Sequence, residues 1–318
     1  MNQLNESIHP ILSQNYAVFT PPINQMINNI GTWIDQRITG GYVYGPSRFG
    51  KSKAIKWYLR SMLEERFGHQ IPLVIWNRRE SNISEKEFWN SLLLASYYEF
   101  ADPLIAKEKS KARFLFEQQL MTLADNSMNN FIVLLIDEAH EVTLKEWKWL
   151  LGLQNALDED GYKFSVFSIG SHKISFQPDY IARTGNAHIT ARFFSVDMRF
   201  RGIQSRNELA YVLAGYDTDS EWPKNSNITF LQHFAPIDYN NGRRLQQVAD
   251  LIWGAFLEQL PYHFKGKVEI PMLHLSYLVE KILKNLSHGS QWEKETCIES
   301  INEIINETRY TDYIRLIY

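Results

Sequence analysis

The octapeptide Gly45-Pro46-Ser47-Arg48-Phe49-Gly50-Lys51-Ser52 has the spacing G-x-x-x-x-G-K-[ST], and its residue types suit one task. Glycines at both ends let the backbone wrap closely around an anion, with several N–H groups turned inward. The Lys51 ammonium can reach the β- and γ-phosphates of a nucleoside triphosphate, and the Ser52 hydroxyl is a ligand for Mg²⁺. A helix that starts here adds the positive end of its dipole to the same anion site. A glycine turn without a ligand is the plain alternative. The order strand, loop, helix around the octapeptide argues against it.

A triphosphate site needs a second element that holds the metal and prepares water. The apolar run Phe131–Ile136 (FIVLLI) ends in Asp137-Glu138, the form of a Walker B segment. Asp137 would hold Mg²⁺ through its water shell, and Glu138 would orient and polarise the attacking water as general base. Alone, such a pair is more often an acidic helix cap; beside the glycine loop the catalytic reading prevails. Asp137-Glu138-Ala139-His140 also spells the DEAH of one helicase superfamily. Those enzymes need a second sheet-bearing domain, and only helical patterns follow residue 202. The isolated histidines, His140 and His172 among them, lack metal-ligand spacing and read as structural or surface residues.

The elements that must position these groups alternate. Residues 1–24, with Pro10, Pro21 and Pro22, read as an extended arm. Helical spacing marks 22–37, 51–66, 84–100, 109–125 and 143–158, with a short helix near 173–183. Strands are expected at GGYVYG, at 72–77, 131–136 and 164–169, and near 193–198. This alternation predicts an α/β fold with a parallel sheet flanked by helices. Helices then follow at 205–214, 228–234, 242–259, 271–286 and 293–307, an all-helical lid and tail.

Composition bounds the class. Of 318 residues 44% are hydrophobic and 22% charged, ordinary globular usage. The single cysteine, Cys297, forbids an internal disulfide. With no signal-like start and no long apolar run, a soluble cytoplasmic protein without membrane contact is expected. Net charge is −3, yet residues 163–206 hold seven basic and two acidic residues, a local excess that suits an anionic partner.

The glycine loop, the acidic strand end, a further strand ending in small polar residues and a helical lid together resemble the AAA+ ATPases. That resemblance implies a Mg²⁺-dependent ATPase, with ATP as ligand, and domains at 25–202 (core), 203–260 (lid) and 261–318 (tail). It makes Ser171, with Ser168 as fallback, the sensor 1 residue that touches the γ-phosphate or the water. Arg192, in Ala191-Arg192-Phe193, corresponds to an arginine finger that reaches a neighbouring subunit, with Arg183 as rival. Arg243, ahead of Arg244 in Asn241-Gly242-Arg243-Arg244-Leu245, resembles the sensor 2 arginine.

The stretch His140–Asn155 followed by FSVFSIGSHKI is similar to the TnsC/TniB branch, prokaryotic regulators of transposition, and the compact size resembles members of CRISPR-associated elements. This implies homo-oligomeric rings or filaments on duplex DNA that join a TniQ-like target-selection protein to transposase subunits, with hydrolysis driving disassembly. Candidate DNA contacts are Lys107, Lys109, Lys111 and Arg113 before the acidic strand, and Lys145 and Lys148 after it. The alternatives are a helicase-loader or initiator-like AAA+ ATPase, and a nucleotide-dependent signalling or defence switch.

Overall fold

The computed structural model describes residues 8–78 and 83–317; the first seven residues of the expected arm and Tyr318 lie outside them. The described residues form two compact units, one of Gln25–Ser47 and Leu59–Phe200, the other of the residues up to Asn24, Arg48–Tyr58 and those from Arg201 onward.

The first unit holds a five-stranded parallel sheet, β1 (Gly40–Tyr44), β2 (Leu73–Asn77), β3 (Phe131–Asp137), β4 (Lys163–Gly170) and β5 (Val196–Arg199), in the order β2-β3-β4-β1-β5. Every residue of β3 is buried, as is β4 after Lys163. That accounts for the continuous apolar run of β3 and for the mostly apolar β4, whose two serines, Ser165 and Ser168, are also buried: both faces of a parallel sheet are covered by helices. Helices Glu85–Ala95, Lys109–Asn126, Leu144–Glu159 and Ala187–Phe193 supply Trp89, Phe116, Trp147 and Phe193 to this core. Two of them start in capping boxes, Ser84 with Glu87 and Thr143 with Glu146, in which side chain and backbone satisfy each other's orphan groups.

Several boundaries differ from the sequence reading. The helix expected to reach residue 100 stops at Ala95, and Tyr97 takes a left-handed φ of 55°. The helix expected at 51–66 contains a π-helical turn, Ile55–Leu59. The short helix near 173–183 continues in pieces to Phe193, so Phe193 is helical and β5 starts only at Val196. Trp147 is the physical reason: its ring packs 5.1 Å from Phe193 and 5.0 Å from Phe194, and this burial holds both outside the strand.

The second unit is helical apart from two isolated bridges, Ile203–Ile270 and Glu221–Thr229. One apolar core runs through it, from Leu209 and Tyr216 through Phe256 and Leu278 to Tyr310 and Ile314. The expected 293–307 helix is broken into Trp292–Glu295 and Ile298–Glu307, and a further helix, Tyr310–Ile317, follows. The arm is not simply extended. It forms a helical turn, Pro10–Ser13, and buries Ile11, Tyr16 and Val18 in the same core. The Tyr16 hydroxyl donates to Glu280 at 2.9 Å and lies 3.2 Å from the Tyr216 hydroxyl. No helix among the described residues is long and apolar enough to cross a membrane.

Candidate nucleotide site

In the sheet-bearing unit the strands end level with one another. Asn77 pairs with Asp137, and Tyr44 pairs with both Gly170 and Arg199. One sheet edge therefore carries Gly45–Ser47 after β1, Asp137-Glu138 at the end of β3 and Ser171 after β4, with β4 lying between β1 and β3. A Cβ on Gly45 would stand 2.4 Å from the Phe200 carbonyl oxygen, so only glycine lets the chain leave the sheet along this path.

Asp137 is 5% exposed, and its Oδ1 accepts the Glu138 N–H at 3.0 Å. Glu138 adopts φ 58°, the left-handed region. For a residue with a Cβ this costs on the order of 1 kcal/mol, and here it turns the carboxylate out of the strand, leaving the side chain 48% exposed. The Ser171 hydroxyl is buried and has no hydrogen-bond partner, as is the hydroxyl of Ser168 inside β4. Of the two, Ser171 stands at the edge beside the acidic pair.

The remainder of the octapeptide lies in the helical unit. Arg48 takes φ 65° and Phe49 is buried. Gly50, at φ 114°, precedes the helix that starts at Lys51 and offers no side-chain cap to its first N–H groups. Lys51 is 9% exposed, whereas Ser52 is exposed. The same helix is tied to the arm: Lys53 donates to the carbonyls of Gln14 (3.0 Å) and Tyr16 (2.7 Å), Lys56 to the Asn15 amide oxygen (2.8 Å), and the Tyr58 hydroxyl to the Ala17 carbonyl (2.7 Å).

Arg192 is elsewhere. It lines a cleft of about 280 Å³ with Arg37, Thr39, Gln154, Asp158 and Lys163, where β1, β3 and β4 begin. Its guanidinium donates to Gln154 at 3.4 Å. Seven-residue β3 separates this edge from Asp137 by about 20 Å. Arg183 is exposed in a π-helical turn. Arg243 pairs with Asp238 at 2.9 Å and with Glu293; Arg244 lies 3.8 Å from the centre of the Tyr239 ring. Both arginines precede a short 3₁₀ turn, Leu245–Val248, rather than standing in the first turn of the helix Ala249–Glu258.

Among the cations considered for DNA, Lys107 donates to the Phe100 carbonyl and Lys109 pairs with Glu85 at 3.2 Å. Arg113 stacks on Trp89 and Lys145 on Trp149. Lys111 and Lys148 are exposed.

Sequence reasoning passed over two residues at the acidic edge. Arg78, which follows β2, donates its N–H to the Asp137 carbonyl at 3.0 Å. Its guanidinium pairs with Glu146 at 3.0 Å, each side chain 2% exposed. An arginine ending an apolar strand was the available signal. The other is His140, whose Nδ1 lies 3.4 Å from a Glu138 carboxylate oxygen.

Residues 36–177 match the family model described as AAA domain. No curated protein matches the chain. Among solved structures, the ORC2 protein of Aeropyrum pernix in its ADPNP–ADP complexes is similar over 94% of this chain and 71% of its own, at 10% identity and a TM-score of 0.60. Drosophila ORC bound to DNA is similar over 94% of this chain and 68% of its own, at 13% identity and a TM-score of 0.52. With β4 between the glycine-loop strand and the acidic strand, and a helical region after the sheet, the chain has a P-loop AAA+ fold, within which residues 36–177 match the AAA domain model.

Proposed function

We propose that this chain is a Mg²⁺-dependent ATPase of the initiator or loader kind, whose nucleotide state governs its assembly with further copies on duplex DNA. The observation that carries the reading is the sheet edge, where a buried carboxylate, a carboxylate in a strained left-handed turn and an unpartnered buried hydroxyl follow adjacent strands beside the glycine loop. The donor set suits the metal, since Mg²⁺ prefers hard oxygen ligands and retains waters. Ser52 and Asp137 would hold it, and it would offset the phosphate charge.

The chain's own groups do the rest. N–H groups of residues 45–52 and the Lys51 ammonium bind the phosphates. Glu138 takes the proton of the attacking water, and the Ser171 hydroxyl fixes the γ-phosphate or that water. Arg192, about 20 Å away on the opposite sheet edge, can stabilise transferring charge only in the site of another copy. Arg243 would have to leave Asp238 and Glu293 to reach a phosphate.

Support for the initiator reading over transposition is the ORC fold similarity; one of those structures was solved with DNA and the other with nucleotides. The transposition reading, with TniQ-like and transposase partners, rests on sequence resemblance alone.

The test is ATP turnover and sedimentation with duplex DNA, for the wild type, Lys51→Ala and Glu138→Gln. Lys51→Ala should lose nucleotide binding, whereas Glu138→Gln should bind ATP, fail to turn over and accumulate on DNA. Binding should weaken steeply with salt, as expected for phosphate contacts. Long filaments on DNA would restore the transposition reading. No turnover in the wild type would overturn the enzymatic one, and unchanged turnover in Glu138→Gln would overturn Glu138 as the base.

A further inference from the structure

The His140 ring stands between Glu138 and the end of β4. Nδ1 lies 3.4 Å from a Glu138 carboxylate oxygen, and the Ser171 N–H points at the same Nδ1, also at 3.4 Å. On the other side of the ring, Nε2 lies 3.4 Å from Glu141. The ring is held in place: its side chain is 13% exposed, and the Gln177 amide donates to the His140 carbonyl at 3.1 Å. Gln177 in turn accepts from the Trp147 indole at 3.3 Å.

A ring nitrogen has one lone pair or one hydrogen, never both. With the lone pair on Nδ1, it accepts from Ser171, Nε2–H faces Glu141, and the Glu138 carboxylate meets only another lone pair. With hydrogen on Nδ1, it donates to Glu138, and the Ser171 N–H is displaced. The two contacts exclude each other. The Ser171 N–H makes the hydrogen bond in this structure, at a long 3.4 Å, and the Glu138 carboxylate stands at the same distance from Nδ1 without one.

We propose that His140 is a positioning residue for Glu138, and that the Ser171 amide competes with Glu138 for its Nδ1. The end of β4 then decides whether Glu138 is held or released. A nucleotide that draws Ser171 toward its γ-phosphate frees Nδ1 to fix the carboxylate for catalysis. The proposal rests on the ATPase reading above.

Variants that separate the two ring nitrogens test it. His140→Asn places an amide near Nδ1, His140→Gln places one near Nε2, and His140→Ala supplies neither. In the full chain with Mg²⁺, ATP and duplex DNA, His140→Ala should lower kcat about tenfold with nucleotide affinity within about twofold of wild type. His140→Asn should recover most of kcat, and His140→Gln little. If the ring only fills space beside Gly170, the variants rank by bulk, with Gln above Asn, and the proposal is overturned. Unchanged kcat in all three, or a loss confined to KM and affinity, also overturns it. Wild type and Glu138→Gln in the same assay isolate the underlying reading: if the wild type does not turn over ATP, the ATPase assignment fails and this inference with it; if Glu138→Gln turns over unchanged, the ATPase assignment stands, but Glu138 is not the base and this inference falls alone.

Discussion

Lowering the pH from about 7.5 to about 5 should loosen the arm from the helical unit, and His9 sets the pH at which this happens. Its ring is 3% exposed, stacked on His233 at 4.5 Å and edged by Phe230 and Phe234, while Nδ1 accepts the Ile11 N–H at 3.1 Å. Burial, with a smaller push from His233, lowers its pKa from 6.5 to about 4. Above the unfolded value both states are neutral and titration contributes nothing. Between the two values the unfolded chain takes up a proton that the folded ring refuses, so stability falls as pH falls. Linkage gives a loss of up to about 2 kcal/mol at about pH 5. His274, lowered to about 4 by burial and secondarily by Arg48, acts in the same direction. Urea denaturation of wild type and His9→Asn across this range separates His9 from everything else. Asparagine keeps a cap acceptor for Ile11 and does not titrate, so the stability gap between the two proteins should narrow by about 1–2 kcal/mol toward about pH 5. His274 and the carboxylates contribute to both curves and cancel. Parallel curves would refute the burial argument.

Three other outcomes follow from the same structure. Asp217 has the opposite sign: burial raises it to about 6 against the partial relief of N–H donors at Leu245 and Gln246. Its contribution is therefore fully present below the unfolded value of 3.8 and lost as pH rises through about 6, and Asp217→Asn should remove a slope of about 3 kcal/mol between about pH 4 and about pH 7 in denaturation curves. Arg78→Met leaves Glu146 charged in a dry site and should destabilise by about 3–5 kcal/mol in urea, with Arg78→Met/Glu146→Gln regaining most of it. Arg192→Ala and Glu138→Gln should each lack turnover alone and regain part of it when mixed, because each supplies what the other's shared site lacks; mixtures as inactive as the separate variants would end the inter-subunit role.

What the sequence made legible is what local pattern encodes. β3 and β4 were plain because strands covered on both faces are mostly apolar, and the octapeptide because G-x-x-x-x-G-K-[ST] constrains backbone and side chain together. Phe193 was misplaced into the last strand because an aromatic pair reads as strand locally, while its partner, Trp147, is 46 positions away in the chain. The break at Thr296-Cys297 interrupts an apolar period that otherwise looks continuous. The last helix, by contrast, left a usable signal in Tyr310, Ile314 and Ile317, spaced one turn apart.

The acidic edge was legible by residue type and not by arrangement. Asp137 and Glu138 follow from the end of an apolar run, whereas nothing near His140 in the chain says that it faces Ser171. That contact depends on the register Asp137–Ile169 between β3 and β4, which brings Ser171 level with the turn after the acidic pair. The arm shows the same limit at larger scale. Gln14, Tyr16 and Ala17 accept hydrogen bonds through backbone carbonyls from Lys53 and Tyr58, and a carbonyl acceptor leaves no mark on residue identity. That helix begins at Lys51, so on the ATPase reading proposed above a loosened arm should also weaken nucleotide binding, and the acid transition set by His9 should then appear in nucleotide affinity as well as in urea denaturation.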